Sequence, residues 1–210
     1  MQIKENSFSI VVVGRWNMYI LTPQWIGENF FKEEKVKLEV PFNLGLPFKY
    51  TSEVHKVMFV PANNKVTFIA LDSSEDCLNK MEEFVLKLVE ALPVTPVSAA
   101  GINFGYVETN ADAQLQRIFE FTDNNFLGDY GCHETNSSIN RRFIVRDRVL
   151  NFNMSKQDKK IDFDFNFHYE VSKTAEIKEK IRDKVIENKN IAEDILKTIY
   201  RLGVDKLKEG

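Results

Sequence analysis

The chain has 210 residues, and 43% of them are apolar, enough to build the core of one domain or of two small halves packed together. Its 28 basic and 31 acidic residues give a net charge of -3, so no global field draws it to nucleic acid or anionic lipid. A strongly basic nucleic-acid binder is thereby excluded, and any such contact has to come from a local patch.

The cysteines and the N-terminal segment predict where the protein resides. Cys77 falls on the apolar stripe of a predicted helix, which indicates a small buried residue rather than half of a disulfide with Cys132. The apolar run from Phe8 to Val13 is too short for a membrane span and lacks a signal-peptide cleavage pattern. We therefore expect a soluble, cytoplasmic protein without export or membrane contact.

The first 96 residues alternate between strand and helix signals. Thr22 before Pro23 is typical of a capped helix start, and two asparagines at 63 and 64 are typical of a hairpin turn. The predicted elements are a strand at 8–16, a helix beginning at Thr22, strands at 36–40, 54–60 and 65–71, and a helix from Ser74 to Leu92.

The part from residue 97 onward repeats this order of elements. Asn110 is the expected helix cap, and residues 122–137 are rich in Asn, Asp and Gly, which predicts a long loop. The predicted elements are a strand at 97–108, a short helix after Asn110, strands at 138–147, 149–155 and 160–171, and a helix over 174–202 with a break at 188–190.

Together these elements predict an α+β fold with one or two antiparallel sheets, whose long helices cover one face. The order of elements predicts two β-α-β-β-β-α halves, 1–96 and 97–210, related by internal duplication and packed as one globular unit. No repeat of individual residues accompanies it. The sheet face opposite the helices would be free for a partner.

The segment from Ile161 to Val171 alternates almost perfectly between apolar and polar residues. Asp162, Asp164 and His168 share its polar side. Carboxylates bind magnesium and an imidazole moves protons, so these three residues are candidate catalytic residues of a metal-dependent phosphodiester hydrolase. The alternative interpretation is the solvated side of an amphipathic strand.

Two strands earlier, arginines recur at even spacing. Arg142, Arg146 and Arg148, with Asn151 and Asn153, predict a polar sheet surface that binds a protein partner, since arginines are common interface anchors. Cross-strand charge pairs with the aspartates are the purely structural alternative.

Gly101 and Gly105 flank Asn103 on one side of the strand at 97–108. Glycine weakens a strand unless something must approach it closely, so this stripe predicts close contact. A covering helix is the favoured cause. A ligand, for which Asn103 would matter, is the alternative.

Several other chemistries find no support in the sequence. Cys132 and His133 are neighbours in a loop without a catalytic signature around them, and two cysteines with three scattered histidines do not form a zinc site. Phosphate-loop, dinucleotide-binding and nucleophile-elbow patterns are also missing. We expect no cofactor and no metal ion, and the sequence leaves enzymatic activity undecided.

The favoured function is therefore a non-catalytic interaction or accessory subunit of a larger cytosolic assembly, with a homo-oligomer also open. The metal-dependent hydrolase is the first alternative. The second is a nucleic-acid-binding sheet protein, because the order of elements resembles the saddle of TATA-box-binding proteins. Asp162, Asp164 and Glu170 argue against that alternative, since they would place negative charge near phosphates.

Overall fold

The computed structural model of the protein describes residues 1–31, 36–41 and 47–204. These residues contain one ten-stranded antiparallel sheet and six helices, which confirms the α+β class. The strands are β1 (Gln2–Ile3), β2 (Ser9–Gly14), β3 (Val36–Glu39), β4 (Lys49–Ser52), β5 (Val57–Ala62), β6 (Lys65–Ala70), β7 (Val97–Glu108), β8 (Ser137–Val145), β9 (Arg148–Gln157) and β10 (Lys160–Glu170). The helices are α1 (Pro23–Ile26), α2 (Glu75–Ala91), α3 (Ala113–Gln116), α4 (Asn124–Asp129), α5 (Thr174–Ile181) and α6 (Lys184–Thr198).

The order of strands across the sheet is β3-β4-β5-β6-β2-β7-β10-β9-β8, and β1 also pairs with β7. β2 and β7, which are distant in sequence, lie side by side in the middle and pair from Ser9 with Asn103 to Gly14 with Val97. Outward from this central pair, the strands follow in reverse chain order, from β6 to β3 on one side and from β10 to β8 on the other. A single sheet therefore runs through both parts of the chain.

Strand register divides the sheet into two faces, because directly paired residues of an antiparallel sheet point to the same side. One face, called here the core face, carries fully buried side chains such as Ile10, Phe68, Ile102 and Phe165. The other, called the open face, carries half-buried and exposed side chains at the alternate positions on most strands.

Helix side chains contact the core face in both parts of the sheet. Phe84 of α2 packs against Phe68 of β6, with ring centroids 6.5 Å apart. In the other part, the Asn188 side-chain amide of α6 donates to the Tyr169 hydroxyl of β10 over 2.9 Å. Each buried aromatic ring contributes roughly 1.5–3 kcal/mol through removal from water. Burial of the aromatic rings between the helices and the core face is therefore a major source of stability.

Among the described residues, no helix combines the length and the apolar composition that crossing a membrane requires.

Several predicted details differ from the structure. Asp112, rather than Asn110, caps α3, because its side chain accepts the Leu115 backbone N–H over 2.8 Å. The predicted loop at 122–137 contains the helix α4. The short strands β1 and β4 were not predicted, because neither has the length of a clear alternating pattern.

The break in the C-terminal helix lies at residues 182 and 183 and not at 188–190. Asp183 has a left-handed backbone with φ of 60°, which ends the regular helix. The carboxylate of Glu82, from the middle of α2, accepts the backbone N–H groups of Asp183, Lys184 and Val185 over 2.7–3.2 Å. A residue a hundred positions away therefore caps α6, a relationship that no local pattern reveals.

We expect Glu82→Ala to destabilise the protein by about 2–3 kcal/mol, because it leaves three helix N-terminal donors without their acceptor. The matched control is Glu83→Ala, which removes an exposed carboxylate paired with Lys80 and Lys87 on the same helix and should cost under about 1 kcal/mol. Urea unfolding monitored by circular dichroism measures both. Equal losses would show that the cap does not stabilise α6.

Candidate functional site

Asp162 and Asp164 lie on the open face, where a lysine neutralises them. Lys4, from the segment between β1 and β2, places its Nζ 2.9 Å from Asp164 Oδ1 and 3.8 Å from Asp162 Oδ2. Lys160 lies 3.5 Å from Asp162 Oδ1. The ammonium group of Lys4 thus lies between the two carboxylates, where a divalent metal ion would otherwise bind.

His168 lies on the same face but far from the aspartates. It pairs with Gly101, four residues along β10 from Asp164, which corresponds to about 13 Å in an extended strand. One metal ion does not reach across that distance. Among the described residues, no group of three or more His, Cys, Asp or Glu side chains is arranged to hold a metal ion.

Asp162 lines a shallow depression of 290 Å³ at the end of β9 and β10. Its other charged lining side chains are Lys156 and Lys160, and the rest are serines, asparagine and glutamine. The depression therefore does not combine a carboxylate pair with a histidine.

Three asparagines and a serine form a continuous hydrogen-bonded ladder across four strands of the open face. Asn151 donates to Asn166 over 2.9 Å, Asn166 donates to Asn103 over 2.7 Å, and Asn103 donates to Ser9 over 3.1 Å. Each inner asparagine accepts with its oxygen and donates with its nitrogen, so the amide orientations are mutually fixed. The ladder gives the centre of the open face a rigid, ordered polar surface.

The ladder is part of a longer row of directly paired residues, called here the cross-sheet row. It extends from β5 to β8 through seven adjacent strands. Its members in spatial order are Met58, Ile69, Ser9, Asn103, Asn166, Asn151 and Arg142. The row is apolar at one end, amide-lined in the middle and basic at the other end.

The glycine stripe on β7 makes room for side chains of the open face and not for a covering helix. A Cβ atom at Gly101 would lie 2.8 Å from Asn166 Nδ2, and one at Gly105 would lie 2.7 Å from the Ser7 Cβ. The expectation of a helix over this stripe was wrong, because Gly101 and Gly105 belong to the open face. Gly101 instead lets the Asn166 side chain lie flat across the strand toward Asn103.

We expect Gly101→Ala to disrupt the ladder and to cost about 1–2 kcal/mol, because the added methyl group occupies the position of the Asn166 amide. Gly27→Ala is the matched control, since a Cβ there meets nothing within 4 Å and its backbone is helical, so stability should be unchanged or rise by up to about 1 kcal/mol. Thermal unfolding and the side-chain amide NMR signals of Asn103 and Asn166 measure the effect. Unshifted amide signals in the Gly101 variant would contradict it.

The structure brings together only part of the predicted arginine surface. Arg142, Asn151 and Asn153 lie on the open face, as expected. Arg146 lies in the two-residue turn between β8 and β9, and Arg148 lies on the core face, 3% exposed. The even spacing of the arginines does not place them on one face, because the chain turns between Arg142 and Arg148. Arg148 therefore pairs with Val145 and not with an open-face residue.

Arg148, whose own side chain is buried, belongs instead to an ion-pair network that reaches the surface. Its guanidinium lies 5.9 Å from the ring centres of Phe167 and Tyr169 and donates to Glu187 of α6 over 2.7 Å. Glu187 also accepts from Lys184 and Arg146, each over 2.6 Å. Hydrogen bonds from Lys184 and Arg148 lower the pKa of Glu187 from its ordinary 4.5 to about 2.

Because the folded-state pKa of Glu187 is depressed, its contribution to stability is present above about pH 4.5 and is lost as the pH falls toward about 2. We expect the unfolding free energy of wild type to exceed that of Glu187→Gln by about 2–3 kcal/mol near pH 7, with the difference shrinking below about pH 5. Urea unfolding from neutral to acidic pH measures this difference.

The control for this measurement is Glu179→Gln, which removes an exposed carboxylate of α5 that makes no ion pair in the part of the chain that the structure describes. Its difference from wild type should remain within about 0.5 kcal/mol at neutral pH. A pH-independent difference for Glu187→Gln would contradict the ion-pair origin of the effect.

The two cysteines differ in environment. Cys77 is buried in α2, as predicted, and burial raises the pKa of its thiol. Cys132 is exposed, as are its neighbours His133 and Glu134, and none of the three forms a hydrogen bond with another of them in the described residues. The loop therefore shows no cysteine–histidine pair.

No protein-family model matches the chain, and no curated protein matches its sequence. The proposals below therefore rest on the geometry of these residues.

Sequence reasoning missed Lys4, Ser9 and the ladder itself. Alternation along β10 placed Asp162, Asp164, Asn166 and His168 on one side correctly, but their contacts come from strands distant in sequence. The one available signal was the stripe of Gly101, Asn103 and Gly105, which marked a close approach without identifying what approaches.

Proposed function

We propose that the protein is a non-catalytic accessory subunit of a cytoplasmic assembly, and that the open face binds its protein partner. The observation that carries this proposal is the cross-sheet row, where an apolar end, an ordered amide centre and an arginine lie on one accessible surface. Interfaces typically combine apolar contact with fixed hydrogen-bonding groups and arginine anchors.

The apolar end of the open face supports a protein partner. Met58 and Ile69 lie beside Val60, Val11 and Val13, all half-buried except Val13, which is 39% exposed. No described residue covers these side chains enough to bury them. A partner that buries them gains roughly 25 cal/mol for each Å² of apolar surface removed from water.

The charge of the open face favours a protein over a polyanion. Lys4 and Lys160 together compensate Asp162 and Asp164, so these four residues leave no strong net charge of either sign. A nucleic-acid backbone requires several uncompensated cations, and the described part of this face offers few, chiefly Arg142, Lys49 and Lys65. The separation of His168 from Asp164 likewise weighs against the hydrolase alternative.

We also propose that the halves 1–96 and 97–210 derive from an internal duplication. The support is the strand order, which runs backwards along the chain on both sides: the four strands β6-β5-β4-β3 follow outward from β2, and the three strands β10-β9-β8 follow outward from β7. Each set lies between a short helix and a long helical segment in the chain.

Affinity purification of tagged full-length protein at moderate salt tests the binding face. We expect one stoichiometric protein partner to co-purify with wild type and to be lost, at least about tenfold, with Met58→Glu, which places an unpaired charge in the apolar end of the interface. Intact-complex mass determination measures the stoichiometry.

The matched control is Val94→Glu, which adds the same charge at a 91% exposed side chain outside the sheet and should retain the partner. Nuclease treatment before elution separates the alternatives, since a complex that dissolves with nuclease indicates nucleic acid. A monomer without a partner, or equal retention by both variants, would count against the open face as the interface.

A further inference from the structure

We propose that the edge strand β8 binds an extended acidic segment of a protein partner, which adds an eleventh strand to the sheet. This surface shares Arg142 with the open face, but the inference does not depend on the function proposed for that face. It rests on the backbone of β8, on its exposure and on its uncompensated charge.

The backbone of β8 presents free hydrogen-bonding groups at its outer side. Val145 pairs with Arg148 across the two-residue turn, and residues that flank such a turn exchange hydrogen bonds with each other. Bonding to β9 then recurs at every second residue, which leaves the intervening N–H and C=O groups directed away from β9. These belong to Ser138, Asn140, Arg142 and Ile144, and no described residue forms another backbone hydrogen bond with them.

The edge is long and accessible. β8 has nine residues, whereas the opposite edge strand β3 has four described residues. Ile144 is 85% exposed and Phe143 36% exposed, although each follows a regular strand geometry. An exposed strand of this length with apolar side chains is a template for strand addition.

The charge of β8 identifies the chemistry of the added strand. Arg142 makes no ion pair within the described residues. Arg141 stacks on the Phe143 ring, 4.8 Å from its centre, and interacts with the Tyr200 hydroxyl, but it pairs with no carboxylate in the described part of the chain. The acidic groups nearest in sequence are already engaged, since Glu134 accepts from Ser137 and Asp147 pairs with Arg148. Arg141 and Arg142 point to opposite sides of the sheet. They can therefore pair with two adjacent acidic side chains of an added strand.

The register gives the partner a sequence pattern. Antiparallel addition places residues opposite Ile144, Phe143, Arg142 and Arg141 in that order, which favours two apolar residues followed by two acidic ones. Antiparallel pairing of β8 with a second copy around residues 141 and 142 is disfavoured, because it sets arginine against arginine, whereas an acidic strand pairs with both arginines. The occupant is thus a different acidic segment.

Fluorescence anisotropy with full-length protein tests this inference. The probe is a capped nonapeptide that carries valine, isoleucine and two glutamates in its centre, flanked by threonines, and its control carries lysines in place of the glutamates. We expect the acidic peptide to bind at least about tenfold more tightly than the basic one. Equal binding of the two peptides, or none, would overturn the proposal.

Asn140→Pro distinguishes strand addition from simple charge attraction. Its N–H points away from β9, so proline removes an outward donor and leaves the β9 pairing intact. We expect at least about a tenfold loss of affinity for the acidic peptide, while circular dichroism remains that of wild type. If this variant does not fold, the same question is tested on wild-type protein with an acidic peptide whose backbone nitrogens facing β8 are methylated, because methylation removes the N–H donors that would bond to β8.

Unchanged binding of Asn140→Pro or of the N-methylated peptide would reduce the contact to charge attraction and overturn strand addition. Met58→Glu should bind the acidic peptide as wild type does, so failure of the open-face proposal is separable from failure of this one. Light scattering completes the test, since a wild-type dimer that Asn140→Pro converts to a monomer would show self-pairing instead of an acidic partner.

Discussion

The pairing of β2 with β7 is the contact on which the rest of the structure depends. Because Ser9 is opposite Asn103 and Ile10 is opposite Ile102, this pair sets which residues of both parts of the chain share a face. A shift of β7 by one residue would move Ile102 and Phe104 to the solvent side and bring Asn103 into the core beside Ile10. The hydrophobic cost of that exchange, repeated across the neighbouring strands, holds the register of the whole sheet.

The same register explains why the open face is polar at its centre. Asn103, Asn166 and Asn151 come from β7, β10 and β9, and they meet only because each pair of strands is in this alignment. Half-buried amides are costly unless they are bonded, and the ladder gives both Asn103 and Asn166 a donor and an acceptor. The absence of a Cβ at Gly101 is the local condition for this arrangement, so glycine here serves side-chain packing on the surface.

The sequence predicted those features whose signal lies within one element. Alternation from Ile161 to Val171 identified β10 and its two faces, and Ser74 identified the start of α2, whose Cys77 N–H it accepts. Features that depend on two distant elements were missed. Glu82 caps α6, Lys4 neutralises Asp164, and neither relation leaves a mark in the local sequence. Arg148 was misplaced for a simpler reason, since one two-residue turn changes which face an even spacing reaches.

The two proposed surfaces, the open face and the β8 edge, would select a partner in different ways. On the open face, recognition would depend on side chains that are already bonded to each other, so a partner would gain from buried apolar area and from the remaining hydrogen-bonding positions of the amides. Along β8, the hydrogen bonds would come from the backbone and would not depend on the partner's sequence. Discrimination between partner sequences would then depend on Arg141 and Arg142. Because Arg142 ends the cross-sheet row and also belongs to the edge, one partner chain that adds a strand to β8 would be positioned to continue onto the open face.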